Sequence, residues 1–290
     1  MSREPIDLLH MGLDRVIGCY LVDTPEGLAL FDCGSATTFE RLRSQVDLSE
    51  IRHLLLSHIH LDHAGAAGHV VRENPKITVH VSDIGAPHVA DPSRLVKSAR
   101  RLYGDTLDAL YGEPLPVPEE NIEIVWGTAA GLKSFPTPGH ASHHVSYLDD
   151  EGTLYAGDAA GVRILPGKHV FPPTPPPDVD VEAWEVTLDE ILKHQPARLA
   201  LTHFGVVDGT EEIAQHVERL RGTLAVWSER VRSGMTLDGF VAAALGDLVS
   251  SEGESASLYE RAMPPDQSYL GLERYWRKKG ERDAEAAASA

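Results

Sequence analysis

The segment 58–63 carries four side chains that can bind a metal ion, in the order HxHxDH. His58 and His60 are two residues apart, so in extended backbone their side chains project to the same side. Asp62 and His63 are adjacent and suit a tight turn that serves two neighbouring positions. The pattern therefore predicts a loop that supplies one pair of ligands to each of two metal sites.

Three other loops each place a metal-capable side chain directly after a predicted strand. His140 follows Thr-Pro-Gly, Asp158 follows Tyr-Ala-Gly, and His203 follows Leu-Thr. Each signal is weak alone, because Gly-Asp is common and a histidine at a strand end is more often structural. Ligand sites of open α/β sheets lie beyond the carboxyl ends of strands. We therefore expect these three loops and the histidine-rich segment to line one rim.

The elements around the histidine-rich segment alternate between strand and helix. An apolar strand is predicted over 51–56, a helix over 64–73 and another strand over 76–81, which indicates α/β layering. Two β-rich runs within 18–32 flank the turn triplet Pro-Glu-Gly. Further strands are predicted over 122–126, 132–137, 145–148, 153–156 and 198–202, and further helices over 37–46 and 181–194.

Three segments depart from this alternation. Residues 83–120 are largely helical until prolines interrupt them, and 166–180 form a stiff, proline-rich loop. From residue 210 onward only helices are predicted, over about 210–233, 236–250 and 269–282. We expect a catalytic domain over 1–209 with a helical insertion near 83–120, C-terminal helices over 210–282 packed on it, and a frayed tail over 283–290.

These departing segments are the candidates for substrate specificity. The C-terminal helices could cap a pocket or form a homodimer interface, and residue spacing alone does not distinguish these two roles. No role is assigned to their aromatic and basic side chains, of which we note Tyr103, Tyr111, His169, Phe171, Tyr269 and Tyr275.

The composition restricts the partners. With a formal net charge of −18 the chain repels phosphate backbones, so nucleic acid is excluded as an expected partner. The two cysteines, Cys19 and Cys33, lie in apolar stretches, as expected of buried thiols in a reducing compartment. The N-terminus has no secretory pattern, and no window has about 18 continuous apolar residues. We expect a soluble, cytoplasmic protein that acts on a small molecule, without a membrane partner.

Taken together, these motifs resemble those of a known family. The chain contains SHIHLDHAG, TPGH, GD and LTH in that order, with Asp32-Cys33-Gly34 before them. In this it resembles the metallo-β-lactamase superfamily, in the glyoxalase II-like and lactonase-like branch, from about residue 7 to 204. The resemblance implies an α/β fold, an αββα sandwich of two mixed β-sheets flanked by helices, here with a C-terminal helical extension.

The resemblance also implies two metal ions per chain and their ligands. Zinc is favoured, and iron or manganese also suits nitrogen and carboxylate ligands. The bridging position holds a carboxylate instead of the cysteine of classical β-lactamases, which disfavours antibiotic hydrolysis. The implied ligands are His58, His60 and His140 for the first ion, Asp62, His63 and His203 for the second, and Asp158 between them.

One motif departs from the family pattern. The chain has TPGHASHHVS, in which His143 stands where glycine is usual, while His144 and Ser146 match. His143 and His144 could orient the metal ligands. The plainer interpretation, which we favour for His143, makes them a turn residue and a buried strand residue.

The motifs support three hypotheses of function. In the first, a hydroxide that bridges two metal ions attacks an ester, thioester or lactone carbonyl, and Asp62 accepts a proton as a catalytic residue; phosphoesters also fit this chemistry. The alternative is a mono-iron sulfur (persulfide) dioxygenase of the same superfamily, with iron held by His58, His140 and Asp158. The third is a metal-stabilised binding protein without turnover.

Overall fold

The computed structural model describes residues 4–253 and 256–289. Within them, twelve strands form two mixed six-stranded sheets. The first sheet has the order β1 (Ile6–Asp7), β2 (Gly18–Thr24), β3 (Gly27–Phe31), β4 (His53–Leu55), β5 (Thr78–Val81) and β6 (Ile122–Ile124). The second contains β7 (Thr128–Ala129), β8 (Leu132–Pro136), β9 (Val145–Leu148), β10 (Thr153–Tyr155), β11 (Arg198–Leu201) and β12 (Gly205–Asp208), again in sequential order.

Eleven α-helices accompany the sheets in the described residues. The first six are α1 (Phe39–Gln45), α2 (Leu61–Ala64), α3 (Ala67–Glu73), α4 (Ala86–Ala90), α5 (Ser93–Tyr103) and α6 (Leu107–Tyr111). The others are α7 (Val181–Lys193), α8 (Thr210–Arg232), α9 (Leu237–Glu252), α10 (Ala256–Ala262) and α11 (Pro265–Ser289).

The two sheets pack face to face because alternate residues of their strands point to opposite sides. Phe31 and Leu55 of the first sheet pack against Tyr147 and Tyr155 of the second. Their strand neighbours Leu30 and Leu54 point outward and pack with Leu42 of α1 and Val70 of α3. On the other face, Leu199 and Leu201 pack with Trp184 of α7 and Leu220 of α8. This arrangement confirms the αββα sandwich.

The structure adds elements that the sequence patterns did not predict. Strands β1 and β7 are two residues long, too short to show any periodicity. Strand β12 pairs antiparallel with β11 immediately after His203, and α10 lies in a segment without a predicted element. These additions extend the sheet edges and the helical layer without changing the architecture.

The C-terminal helices pack on the sandwich and on one another. Helix α8 contacts β11, β12 and α7, while α11 contacts α8 and α9. Trp227, Phe240 and Tyr259 of these helices share one apolar cluster with Phe171 of the proline-rich loop. The tail 283–290 differs from the expected fraying, because α11 continues through Ser289; Ala290 lies outside the described residues. None of the helices described is both long and apolar enough to cross a bilayer.

Candidate metal centre

The structure brings all seven predicted ligand residues to one edge of the sandwich. Their nearest ligand atoms form three overlapping groups, each within 4.8 Å. The loop after β4 carries His58 and His60, α2 carries Asp62 and His63, the loop after β8 carries His140, the turn after β10 carries Asp158, and the turn after β11 carries His203.

The first cluster consists of three ring nitrogens. Nε2 of His58 lies 2.9 Å from Nδ1 of His60, and Nε2 of His140 lies 3.2 Å and 2.9 Å from these two atoms. Zinc–nitrogen bonds of about 2.0–2.1 Å in a tetrahedron place ligand atoms about 3.3 Å apart. The three nitrogens therefore have nearly the spacing that one small cation requires.

The hydrogen bonds on the far side of the rings fix where the lone pairs point. Nδ1 of His140 donates to the carbonyl of Pro173 at 2.7 Å, and Nδ1 of His203 donates to the carbonyl of Val16 at 2.5 Å. A carbonyl oxygen only accepts, so when either ring is neutral its Nε2 presents a lone pair to its own cluster. Lone pairs facing one another cannot form hydrogen bonds, but together they can hold a cation.

The second cluster combines two rings with a carboxylate. Nε2 of His203 lies 3.3 Å from Nε2 of His63 and 3.5 Å from Oδ2 of Asp62. Oδ2 of Asp62 lies 3.8 Å from Nε2 of His63. These three side chains are the second ligand group expected from the sequence.

Asp158 lies between the two clusters. Its Oδ2 is 3.4 Å from Nε2 of His140 in the first cluster. Its Oδ1 is 3.3 Å from Nε2 of His63 and 3.5 Å from Nε2 of His203 in the second. This Oδ1 atom is buried and accepts no hydrogen bond from the described residues. A buried, unpaired carboxylate oxygen is costly, so a cation beside it fits the site.

The charges of the site differ between the clusters. Burial, together with the neighbouring rings, lowers the pKa of His58 and of His60 well below the usual value. Burial alone would also lower the pKa of His63, but Asp158, Asp62 and Asp32 raise it well above its usual range. The first cluster is therefore neutral, while the second attracts positive charge.

Asp32 orients ligands of both clusters. It is fully buried, and its Oδ2 accepts from Nδ1 of His63 at 2.7 Å, from Oγ of Ser57 at 2.9 Å and from Oγ1 of Thr202 at 3.0 Å. Oγ of Ser57 lies 3.0 Å from Nδ1 of His58 and, since it donates to Asp32, accepts from this ring. The sequence analysis singled out Asp32 only as part of a motif and did not predict this role.

His143 and His144 are buried beside the first cluster. The ring of His144 stacks on His58 with centroids 4.9 Å apart, and its Nδ1 lies 2.8 Å from Oγ1 of Thr137. His143 also stacks on His58, at 5.9 Å, and its Nδ1 accepts from the amide of Ile59 at 3.5 Å. Both rings support His58 by packing, which goes beyond the plainer interpretation favoured for His143.

A cavity of about 960 Å³ opens onto the two clusters. Each of the three segments expected to govern specificity contributes to its wall: α5 from the insertion, Pro175–Pro177 from the proline-rich loop, and Ala262–Pro264 from the junction of α10 and α11. Of the six side chains noted in the sequence, Tyr103 and Tyr111 line the cavity. The other four are absent from its wall, for instance Phe171, which packs 4.9 Å from Trp227.

His10 is a cavity residue that the sequence analysis missed. It is largely buried, stacks on Tyr111 with centroids 5.7 Å apart, and lies near Oγ of Ser35 at 3.4 Å. Its chain neighbours Leu9 and Met11 both have a backbone in the left-handed region, with φ of 50° and 55°. No sequence signal distinguished this histidine, because its place depends on the packing of α6 against the N-terminal loop.

The chain is similar to known proteins in sequence and in structure. The family model described as the metallo-beta-lactamase superfamily matches residues 14–203. The metallo-beta-lactamase fold-containing protein ST1585 of Sulfurisphaera tokodaii is 27% identical over 169 residues, which are 55% of this chain and 63% of that protein. The thioesterase pkgB of Emericella nidulans is 28% identical over 145 residues, 48% of this chain and 34% of that protein. These matches span less than two thirds of either relative.

Solved structures share the fold at low identity. ST1585, described as an archaeal metallo-beta-lactamase superfamily protein from Sulfolobus tokodaii, aligns with a TM-score of 0.63 and 21% identity over 93% of this chain and 95% of that chain. TTHA1623 in a di-iron-bound form aligns with a TM-score of 0.55 and 21% identity over 74% of this chain and 98% of that chain.

Proposed function

The chain belongs to the metallo-beta-lactamase superfamily, and from this we propose that it is a hydrolase that uses two divalent metal ions to cleave a carboxylic ester, thioester or lactone. The observation that carries the proposal is Asp158, whose two carboxylate oxygens face different ligand clusters. In the proposal, His58, His60 and His140 hold the first ion, Asp62, His63 and His203 hold the second, and Asp158 contacts both.

Zinc is the metal that we propose, because nitrogen and carboxylate ligands at tetrahedral spacing suit it. When bound, divalent ions make water a better nucleophile at neutral pH and polarise a carbonyl oxygen. The protein contributes a fixed geometry: the carbonyls of Pro173 and Val16 hold the rings of His140 and His203, and Asp32 holds that of His63. Ligands fixed in this way need no rearrangement during the reaction.

Asp62 is the carboxylate that we propose as the proton acceptor. Its side chain is 20% exposed, against 3% for Asp158, so water in the cavity reaches it more readily. Burial opposes its ionisation, yet the rings of His63 and His203 keep its pKa below the usual value, so it is ionised at neutral pH. An ionised carboxylate beside the reacting centre can take the proton that the attacking water loses.

Two further observations support ester-type substrates. The cavity wall is mostly apolar, which suits a carbon chain better than a nucleotide. One matched relative is named a thioesterase. As part of this proposal, the chain falls in the glyoxalase II-like and lactonase-like branch of the superfamily. It is cytoplasmic and acts on a small molecule.

The test is a panel of esters, thioesters, lactones and phosphoesters, assayed with zinc-reconstituted protein. The expected result is turnover of at least one carbonyl substrate, which stops after chelation and returns with zinc. His58→Ala should abolish activity, whereas His69→Ala, at a half-buried position of α3 outside both clusters and the cavity wall, should leave it unchanged. If the protein as purified contains iron as its only metal, and consumes oxygen when a persulfide is supplied, the dioxygenase is established instead. Metal binding without any turnover would refute the proposed activity.

A further inference from the structure

One wall of the cavity is apolar and is formed by helices that carry none of the predicted metal ligands. Helix α5 contributes Leu95, Ala99 and Leu102, and the junction of α10 and α11 contributes Ala262 and Met263. Residues 95–102 span about 10 Å of helix at 1.5 Å per residue. The wall is therefore long enough to cover several methylene groups of a bound chain.

Exposed arginines border this wall. Arg94 and Arg101 lie seven residues apart on α5 and face the cavity together with the apolar residues between them. Both are exposed, whereas the ligands of the metal centre are buried or nearly so. Arg274 of α11 lines the cavity as well, and its Nε donates to the carbonyl of Pro177 at 3.3 Å.

These arginines lack the carboxylate partners that several other arginines of the chain have. Arg100, their neighbour on α5, pairs with Asp108, and Arg163 pairs with Glu212. Arg94, Arg101 and Arg274 form no ion pair with any carboxylate of residues 4–253 and 256–289. The exposed Asp91, whose pKa is lowered by Ser93 and further by Arg94, stays beyond ion-pair distance. In a chain of net charge −18, three unpaired guanidinium groups on one cavity form a local site for an anion.

The other charged groups of the cavity do not neutralise this rim. Asp62 and Asp158 lie at the metal centre and face its histidines. Asp178 lies 3.8 Å from Nε2 of His143 and accepts from Oγ of Ser142 at 3.5 Å. The buried part of the cavity thus carries the carboxylates of the metal centre, while its exposed part carries Arg94 and Arg101 and one carboxylate, Asp178, which faces His143.

From this polarity we infer that the substrate is an ester, thioester or lactone that carries an anionic group at the far end of an apolar chain. This inference rests on the proposed hydrolase activity and specifies its substrate class. The carbonyl lies at the metal centre, the chain lies against the apolar face of α5, and the negative charge lies on the exposed side of this face, which Arg94 and Arg101 flank. A carboxylate and a phosphate both meet this description.

Matched esters of one chain length test the inference. Sebacic acid monomethyl ester carries a free carboxylate, methyl 10-(phosphonooxy)decanoate carries a phosphate, and dimethyl sebacate is neutral. We expect kcat/KM for a charged ester to exceed that for the neutral ester about threefold to tenfold at low ionic strength, the range of two partly exposed ion pairs. The preference should shrink in 1 M salt, where the Debye length is about 3 Å.

Variants of α5 identify the source of the preference. Arg94→Gln with Arg101→Gln should lower kcat/KM for the charged esters towards the value for dimethyl sebacate measured with the same variant, and so remove most of the preference. Lys97→Gln is the matched control, because Lys97 is exposed on the same helix but does not line the cavity. If kcat/KM is higher for either charged ester than for dimethyl sebacate, the inference is supported, and the ester with the higher value shows which anion is favoured.

Binding measured by calorimetry separates the two proposals. If no ester is hydrolysed, binding of the monomethyl ester that weakens in the double arginine variant still supports the anion site while the hydrolase proposal fails. If all three esters are hydrolysed equally and the variants change nothing, the inference is overturned and the hydrolase proposal stands.

Discussion

Oδ2 of Asp32 accepts a 2.7 Å hydrogen bond from Nδ1 of His63, although 31 residues separate the two. The same oxygen accepts from Oγ of Ser57, which in turn lies 3.0 Å from Nδ1 of His58. One buried carboxylate thereby sets the ring orientation of a ligand in each cluster. Partners of this kind direct the lone pair of a metal-bound histidine and increase its basicity.

Replacing Asp32 should weaken metal binding without unfolding the chain. Asp32 has a φ of 52°, which asparagine also tolerates, so Asp32→Asn keeps the backbone and the side-chain shape. The amide cannot accept all the present hydrogen bonds, and we expect a loss of about tenfold to a hundredfold in zinc affinity. Competition with a chromophoric chelator measures this affinity. Unchanged affinity for both ions would show that Asp32 has no orienting role.

His143 should be dispensable for metal content. Its ring packs on His58 but is not a member of either cluster, so His143→Ala should still bind two ions per chain. We expect the effect to fall on the cavity wall, to which His143 belongs, and thus on KM more than on kcat. Metal analysis of the purified variant provides the check, and loss of one ion per chain would make His143 a ligand.

Gly157 should resist substitution because of its place beside the centre. It has a φ of 48°, and a Cβ atom there would lie 2.7 Å from Cβ of Ser57 and 2.9 Å from Nε2 of His144. Gly157→Ala should therefore lower stability by about 1–3 kcal/mol and disturb the neighbouring Asp158. Gly222→Ala is the control: this glycine is exposed within α8, nothing lies within 4 Å of its Cβ position, and stability should rise by up to about 1 kcal/mol. Chemical denaturation measures the free energy of unfolding of both variants. If the two variants changed it alike, the account would be contradicted.

His216 should make the fold less stable as the pH falls. Burial lowers its pKa from 6.5 to about 4, so between these values the unfolded chain binds the proton more readily than the native one. This stabilisation is complete above pH 6.5 and is lost towards pH 4, by about 3 kcal/mol at most. His216→Gln keeps a donor for the carbonyl of Ala160, which His216 contacts at 2.7 Å, but does not titrate. Its unfolding free energy should fall less steeply over that range; equal slopes would exclude His216 as the cause.

The sequence predicted the parts of the site that depend on local order. Within HxHxDH the ligands are neighbours in the chain, and His140, Asp158 and His203 share one position type at strand ends. The role of Asp32 depends on a contact with Ser57, which the pairing of β3 with β4 creates, and on one with Thr202, which the packing of the two sheets creates. The same holds for the cavity, because Tyr103 of α5 meets Gln267 of α11 through a 3.0 Å hydrogen bond across 164 residues. Short strands such as β1 and β7 gave no pattern to detect.

Anomalous diffraction from crystals of the zinc-reconstituted protein, recorded on both sides of the zinc absorption edge, tests the dinuclear centre most directly. The account predicts two peaks per chain, one among His58, His60 and His140 and one among Asp62, His63 and His203, with Asp158 contacting both. A single peak, or peaks away from these side chains, would contradict it.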